Sequence, residues 1–275
     1  MEIRHATHPA HLAALDTDQL RERFLVEGLF VAGEVRLVYA HEDRIVIGGV
    51  TPLPGTPLEL ESADALRADT FLARRELAVV VVRGSGSVTV DGTEHELGAR
   101  DCLYVGRGAT TVRFQAADEG TRFYLFSTPS HAEFPTEVAR YDDVDALHLG
   151  DRSTSNVREI RKFVHADGIR SGQLVLGMTT LAPGSVWNTM PPHTHDRRTE
   201  AYLYFDLPDE HRVVHLMGEP HATRNLLVRN EEVVISPSWS VHSGAGTHAY
   251  SFVWAMGGEN QAYDDVEPVA VTDLR

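Results

Sequence analysis

The sequence predicts an all-β protein in which a short helix precedes two antiparallel barrels. From residue 29 onward, short runs rich in Val, Ile, Tyr and Phe alternate with turn-forming residues, which is typical of a β sandwich or barrel. A weak internal similarity at a spacing of about 130 residues indicates that the barrel is duplicated. A chain of 275 residues, 42% of them hydrophobic, can fill both cores.

Residues 1–28 form the first predicted unit, a helical segment. Asp16 is a helix-capping residue type, and Leu20 and Phe24 follow at the spacing that puts apolar side chains on one helical face. We therefore expect a short helix that packs on the chain that follows it.

Residues 29–149 form the second predicted unit, an N-terminal barrel. Its strand-like runs are separated by turn sequences such as Gly84-Ser85-Gly86 and Asp91-Gly92. The pattern lapses between residues 128 and 149, which we interpret as the connection between two halves. The predicted strands are 36–40, 44–50, 78–82, 87–90, 102–105 and 111–114.

Residues 150–275 form the third predicted unit, a C-terminal barrel with a tail. Strand texture resumes near residue 163, and residues 264–271 look like a tail that needs a partner surface. The predicted strands after residue 163 are 172–181, 201–205, 212–217, 225–228, 233–236 and 250–256.

The similarity between the two halves predicts that only the second barrel binds a metal. Residues 101–108 match 232–239, and residues 74–76 match 197–200. On this register Thr111 takes the place of His242, and the first half has no histidine at the places of His193 and His195. We therefore expect the first barrel to lack metal ligands.

Charge and cysteine content exclude several classes of protein. Twenty-five basic and forty acidic residues give a net charge of -15, which opposes binding to nucleic acid or to an anionic membrane. No apolar signal core follows Met1, and the longest apolar run, 77–82, is too short to span a bilayer, so we expect a cytoplasmic protein. Cys102 is the only cysteine, which excludes an intramolecular disulfide, and we interpret it as a small buried apolar residue.

Four residues have the composition and spacing of a metal site: His193, His195, Glu200 and His242. If residues 193 and 195 lie on a strand, its period of two puts both imidazoles on one face, and Glu200 can follow on the next strand. Imidazole nitrogens and one carboxylate suit a borderline divalent ion. This is the ligand pattern of the cupin superfamily, although Trp239 replaces a glycine that is usual there.

Longer stretches resemble one particular cupin family. Residues 181–198, 234–244 and 258–261 closely resemble the 5-keto-4-deoxyuronate isomerase family. The resemblance extends into the first half and to the last residues, through 72–77, 101–106, 154–156 and 273–275, so that it covers nearly the whole chain.

The resemblance implies a bicupin, that is, two double-stranded β-helix barrels with zinc in the C-terminal one. It also implies a hexamer and an intramolecular oxidoreductase of pectin breakdown. The implied reaction interconverts 5-dehydro-4-deoxy-D-glucuronate and 3-deoxy-D-glycero-2,5-hexodiulosonate. All four zinc ligands of the family are present here as His193, His195, Glu200 and His242.

The candidate catalytic residues follow from residue type. Four protein ligands would close a tetrahedral zinc site, so catalysis requires either a larger coordination number or the release of one ligand, and Glu200 is the ligand that we expect to move. A proton-transfer route also requires a general base. The candidates are Glu200 itself, Glu76, Asp196, Tyr202 and Tyr204.

A carboxylate on the substrate requires a local cation, because the net charge of the protein repels it. The guanidinium of arginine fits a carboxylate with two parallel hydrogen bonds. The positions to consider are Arg197 and Arg198 beside the ligand turn, and Arg158, Arg161 and Lys162 ahead of the second barrel.

Two other functions use the same ligand types. One is a non-catalytic cupin that binds a metal or a sugar, including a regulatory sensor. The other is an iron-dependent cupin dioxygenase. Oxygen uptake separates a dioxygenase from an isomerase, because an isomerase consumes no oxygen.

Overall fold

The computed structural model describes residues 1–275 and consists almost entirely of β-strands. The strands form four sheets, with seven and four strands in the first half and seven and five in the second. The prediction of an all-β fold with two cupin barrels is confirmed. None of the helices is long and apolar enough to cross a membrane. Short 3-10 helices lie at Pro9–Ala14, Asp64–Leu66, Tyr141–Asp143, Arg152–Thr154 and Val271–Asp273.

The first half contains one α-helix and twelve strands. They are β1 (Glu2–Arg4), α1 (Thr17–Phe24), β2 (Leu25–Val26), β3 (Val35–Ala40), β4 (Val46–Val50), β5 (Leu58–Glu59), β6 (Arg75–Arg83), β7 (Gly86–Val90), β8 (Thr93–Leu97), β9 (Cys102–Val105), β10 (Val112–Ala116), β11 (Arg122–Pro129) and β12 (Glu137–Ala139). The seven-stranded sheet has the order β1-β3-β4-β11-β6-β9-β12, and the smaller sheet has the order β5-β10-β7-β8. The central strand β11 was not among the predicted strands.

The second half contains the remaining eleven strands. They are β13 (Leu147–Leu149), β14 (Arg158–Val164), β15 (Val175–Leu181), β16 (Trp187–Thr194), β17 (Arg198–Phe205), β18 (Val213–Met217), β19 (Arg224–Val228), β20 (Val233–Ser236), β21 (His242–Gly246), β22 (Ser251–Gly258) and β23 (Glu267–Pro268). The seven-stranded sheet has the order β13-β14-β15-β22-β17-β20-β2, and the other sheet has the order β19-β18-β21-β16-β23.

The predicted N-terminal helix is confirmed as α1. Asp16 caps it, because its side chain accepts a hydrogen bond from the Gln19 backbone at 2.9 Å while the Gln19 side chain accepts one from the Asp16 backbone at 3.0 Å. Leu20 and Phe24 are buried in the core of the second barrel. The helix therefore packs on the distant half of the chain, and β2 extends the sheet of that half by pairing with β20.

Three apolar cores hold the molecule together. One fills the first barrel, one fills the second, and the largest, with 26 buried residues, lies between the two seven-stranded sheets. Along β17 the residues alternate between these cores: Tyr202 and Tyr204 face the barrel interior, whereas Leu203 faces the first barrel. The two barrels thus pack sheet against sheet, and Cys102 is buried in their shared core.

The domain division at residue 149 remains a proposal. β13, at residues 147–149, precedes this boundary in the sequence. It nevertheless pairs with β14 and so belongs to the seven-stranded sheet of the second half. β2 belongs to the same sheet although it lies within residues 1–28. The strand pairing thus favours a second unit that includes both short strands.

The two halves repeat the same strand order, with β6 and β9 in the places of β17 and β20. The strand register corrects the sequence match at one point. Leu77 pairs with Val105 just as Glu200 pairs with Ser236, so Leu77 holds the place of Glu200. Glu76 is one residue out of step and therefore faces the other side of its sheet.

Glu76 joins the two barrels. It is fully buried, and its carboxylate accepts hydrogen bonds from the Tyr104 hydroxyl at 2.6 Å and the Thr128 hydroxyl at 3.0 Å. Three backbone N–H groups of the second half, at residues 172–174, also donate to it at 2.6 to 2.9 Å. Five hydrogen-bond donors satisfy the buried carboxyl group of Glu76. Its role is therefore structural: it links the two barrels.

We expect Glu76→Gln to lower the free energy of unfolding by about 3 kcal/mol, because the new amide would turn N–H groups toward backbone N–H donors. Urea unfolding followed by circular dichroism measures this change. The matched control is Glu59→Gln, at an exposed position whose side chain makes no hydrogen bond within the protein. An unchanged unfolding midpoint for Glu76→Gln would contradict the structural role.

Candidate metal centre

The four predicted ligands come together inside the second barrel, and their ligand atoms all lie within 4.8 Å of one another. His193 lies on β16 and pairs with His242, the first residue of β21. His195 follows the end of β16, and Glu200 is the third residue of β17. The pairing of β16 with β21 is interrupted between Asn188 and His193, which is a local bulge of the kind that re-aims side chains.

The donor atoms face one another across short distances. Oε2 of Glu200 lies 2.9 Å from Nε2 of His195 and 2.9 Å from Nε2 of His242. Nε2 of His242 lies 3.0 Å from Nε2 of His193. His195, Glu200 and His242 are buried, and His193 is partly exposed.

The hydrogen bonding of His195 fits a bound cation. Its Nδ1 lies 2.9 Å from the backbone carbonyl of Asp265, which can only accept, and 3.3 Å from Nη2 of Arg198, which can only donate. The nearer contact favours a proton on Nδ1, which leaves Nε2 free to bind a cation beside the Glu200 carboxylate at 2.9 Å. Three imidazoles and one carboxylate suit zinc and similar divalent ions, and the carbonyl is a typical outer partner of a ligating histidine.

The pKa directions favour the ligand forms of these side chains. Burial, followed by the charge of His242, lowers the pKa of His193 to about 3. Burial also lowers the pKa of His242, against the opposing effect of Glu200. Burial raises the pKa of Glu200, but the neighbouring histidines outweigh it and the net pKa lies well below its usual value. Burial thus favours the unprotonated forms of His193 and His242, and the neighbouring histidines favour the ionised form of Glu200.

A cavity of about 280 Å³ opens onto the cluster. His193, His195 and Glu200 lie on its wall. Nine of its eighteen lining residues are hydrophobic, so one side of a small polar ligand would meet an apolar surface. The apolar and aromatic lining includes Leu149, Ile160, Met190, Phe252, Trp254, Met256 and Tyr263.

Arg158 is the only lysine or arginine that lines the cavity. It is half-buried on β14, and Nη1 donates to the backbone carbonyl of Asn156 at 2.9 Å. Burial lowers its pKa, although arginine stays protonated at neutral pH. Among the five basic residues considered from the sequence, this is the one that the structure brings to the ligands.

The other four basic candidates do not line the cavity. Arg197 is exposed and pairs with Asp265 at 3.0 Å, while Arg198 is buried and donates to the Asp265 carbonyl at 2.8 Å. Arg161 lies over the Tyr141 ring, and Lys162 lies over the Tyr263 ring. Arg197 and Arg198 hold the tail, and Arg161 holds the connection between the barrels.

The tail finds its partner surface at the metal cluster. β23 pairs with β16 at Thr194 and His193, and the Glu267 side chain accepts a hydrogen bond from the Asp196 backbone at 3.0 Å. Sequence reasoning missed these residues because a polar tail carries no signal for where it folds back. Three tail residues line the cavity, Asp264, Val266 and Pro268, together with Tyr263 just before the tail.

The catalytic candidates lie in four different places. Glu200 and Tyr202 line the cavity, together with Thr189, which the sequence did not single out. Tyr204 is buried behind them, and its hydroxyl lies 2.8 Å from Nδ1 of His215. Asp196 is exposed outside the cavity, and Glu76 lies between the barrels.

We expect the protein to bind one zinc ion per chain and His242→Ala to weaken that binding by at least about 100-fold, since a ligand matters more than its outer partners. Calorimetric titration of the metal-free protein measures the affinity, and circular dichroism checks the fold. His221→Ala, at an exposed position, is the control. Undiminished zinc affinity in His242→Ala would contradict this ligand assignment.

Comparison with known proteins identifies the relationship. Residues 24–269 match the KduI/IolB family. The chain is 52% identical to a 4-deoxy-L-threo-5-hexosulose-uronate ketol-isomerase of Kineococcus radiotolerans and 50% identical to one of Halalkalibacterium halodurans, over 100% of each chain in both cases. An IolB-like protein from Salmonella typhimurium LT2 superimposes with a TM-score of 0.74 and 16% identity, over 90% of this chain and 97% of the other. The chain belongs to the KduI/IolB family.

Proposed function

We propose that this chain is a metal-dependent aldose-ketose isomerase of uronate breakdown. It interconverts 5-dehydro-4-deoxy-D-glucuronate and 3-deoxy-D-glycero-2,5-hexodiulosonate, which makes it an intramolecular oxidoreductase. The observation that carries the proposal is the convergence of three imidazoles and one carboxylate on a cavity that also holds Arg158. The choice of substrate is supported by full-length relatives that bear the name of this ketol-isomerase.

We propose zinc as the ion, held by His193, His195, Glu200 and His242. A bound divalent ion supplies Lewis-acid stabilisation of negative charge on the two substrate oxygens between which the carbonyl moves. The chain orients these ligands through rigid strands and through the Asp265 carbonyl, which fixes the tautomer of His195.

The remaining lining residues bind the rest of the substrate. Arg158, the one lysine or arginine in the cavity wall, binds the substrate carboxylate. The apolar wall, including Trp254 and Met256, faces the deoxygenated carbon and excludes water. Glu200 and Tyr202 line the same cavity and are the candidate general bases there if the hydrogen moves between the two carbons as a proton.

We also propose a hexameric assembly, as the resemblance to the 5-keto-4-deoxyuronate isomerase family implies, and a cytoplasmic location, as the sequence features of the N-terminus and the apolar runs suggest. Light scattering of the purified zinc-loaded protein tests the assembly, and a hexamer has six times the 30.4 kDa mass of the chain. A monomer or dimer in that experiment would exclude the hexamer while leaving the isomerase proposal unaffected.

Zinc-loaded protein should convert 5-dehydro-4-deoxy-D-glucuronate into a ketose of the same mass without oxygen uptake. NMR follows the ketose, mass spectrometry follows the mass, and an oxygen electrode tests the dioxygenase alternative on iron-loaded protein. No conversion by fully loaded protein would refute the isomerase. Oxygen consumption with a heavier product would favour the dioxygenase instead.

Arg158→Gln should raise KM by about 10- to 100-fold, which corresponds to the loss of one charge-assisted hydrogen-bonded contact. Zinc content should stay unchanged, because Arg158 contacts none of the four ligands. Steady-state kinetics gives KM, and Arg113→Gln, at an exposed position on the first barrel, is the matched control. An unaltered KM would mean that the carboxylate binds elsewhere.

A further inference from the structure

Thr189 has a backbone conformation that β-branched residues rarely adopt. Its φ is 51°, in the left-handed region, and it lies where the pairing of β16 with β21 is interrupted. It lines the cavity beside His193. Strained conformations of this kind persist only where the surroundings enforce them, and they concentrate at functional sites. The hydrogen bonds of Asn188 and Tyr202 show which groups the conformation of Thr189 positions.

A buried amide fixes the direction of the Thr189 hydroxyl. The Tyr250 hydroxyl has backbone carbonyls of Val186 and Gly244 within 3.1 and 3.2 Å, so it donates its only proton to them. It must then accept from the Asn188 amide nitrogen at 2.7 Å, which turns the Asn188 carbonyl toward Thr189. That carbonyl accepts the Thr189 proton at 2.8 Å, and the Thr189 hydroxyl has no second proton to give.

This arrangement fixes the direction of Tyr202 as well. The Tyr202 hydroxyl lies 3.3 Å from the Thr189 hydroxyl oxygen. Because the Thr189 proton is already engaged, Tyr202 is the donor in this contact. The Tyr202 oxygen then has only lone pairs left for a further partner, and Thr189, Glu200 and Tyr202 all line the cavity.

We propose that Tyr202 accepts a hydrogen bond from a substrate hydroxyl and that Thr189 and Asn188 hold it in this acceptor role. The inference rests on the proposed isomerase function. Aldose and ketose differ in which of two adjacent carbons carries the hydroxyl. A fixed acceptor therefore selects a hydroxyl over a carbonyl at one of them and sets how the substrate lies against the metal ligands.

Thr189 and Asn188 act as positioning residues. The series of hydrogen bonds from Tyr202 ends at the Asn188 carboxamide, which does not take up a proton at neutral pH. The series thus orients the phenol and carries no proton to solvent. Tyr204, whose hydroxyl is paired with His215, lies outside this route.

The test compares T189S with T189A, because these two variants differ only in the hydroxyl and share the same backbone conformation. Each is made with Tyr202 intact and with Y202F. The probe is the borohydride-reduced substrate, an alditol acid that bears hydroxyls and cannot isomerise. Calorimetry on the zinc-loaded variants gives its affinity, and kinetics gives kcat and KM for the substrate.

We expect T189S to bind the probe within about threefold of wild type, and T189A and Y202F to bind it about tenfold more weakly, the size of one hydrogen bond. The T189A/Y202F double variant should bind no more weakly than Y202F alone, because both changes remove one interaction. Zinc content should not change. The controls are T247A, at an exposed position, and Y124F, whose buried hydroxyl has no partner.

Three results would overturn the inference: equal losses in T189S and T189A, tenfold losses that multiply in the double variant, or wild-type affinity in Y202F. The proposed function fails separately. Wild-type protein that binds the probe but does not convert the substrate refutes the isomerase, while the variant series still decides the role of Tyr202. Absence of probe binding by zinc-loaded wild type that converts the substrate would overturn the inference and leave the isomerase standing.

Discussion

The close approach of four potential ligand groups is the constraint on which the rest of the second barrel depends. A carboxylate oxygen and three imidazole nitrogens point at one small volume from β16, β17 and β21, in a region largely screened from water. Flexible loops would let such groups move apart. Strands that are paired on both sides cannot relax in this way, so the barrel keeps the donors together and ready for a cation. The tail contributes to the same end, because its Asp265 carbonyl fixes one ring from outside.

The two faces of β17 show how one strand serves both the site and the assembly of the barrels. Glu200, Tyr202 and Tyr204 face inward, and the residues between them face the first barrel. In the first barrel, Leu77 stands where Glu200 would be, and its neighbours Val79 and Val81 also face the apolar interior. The interior of the first barrel is therefore apolar at these positions, while the four candidate ligands lie in the second.

Local spacing explains what the sequence could predict. The capping pattern at Asp16 gave α1, and the alternation of His193 and His195 with a following Glu200 gave three of the ligands. The full-length resemblance supplied the family, and with it the expectation of zinc. These features depend on residues close to one another in the chain or on motifs long enough to be specific.

The features that sequence reasoning missed depend on long-range geometry. β11 is buried on both faces and so lacks the alternation that marks a half-exposed strand. Arg158, Arg161 and Lys162 are all basic residues on β14, and the sequence alone does not distinguish them. Only the direction of each side chain shows that Arg158 lines the cavity and that Arg161 contacts Tyr141 instead. The sequence match aligned Glu76 with Glu200. In the structure the strand register differs by one residue, so the Glu76 side chain points to the opposite face of its sheet.

The packing of one seven-stranded sheet against the other has a consequence for how the two copies can diverge. The two barrel interiors are separate, so an apolar residue such as Leu77 can occupy in one barrel the position that Glu200 holds in the other without affecting it. The residues packed between the two seven-stranded sheets cannot change independently in this way. A larger side chain at Ala78 would clash with the second barrel. A substitution there would therefore require a compensating substitution in the second barrel. A substitution inside one barrel therefore affects that barrel alone, whereas a substitution between the two seven-stranded sheets affects both barrels.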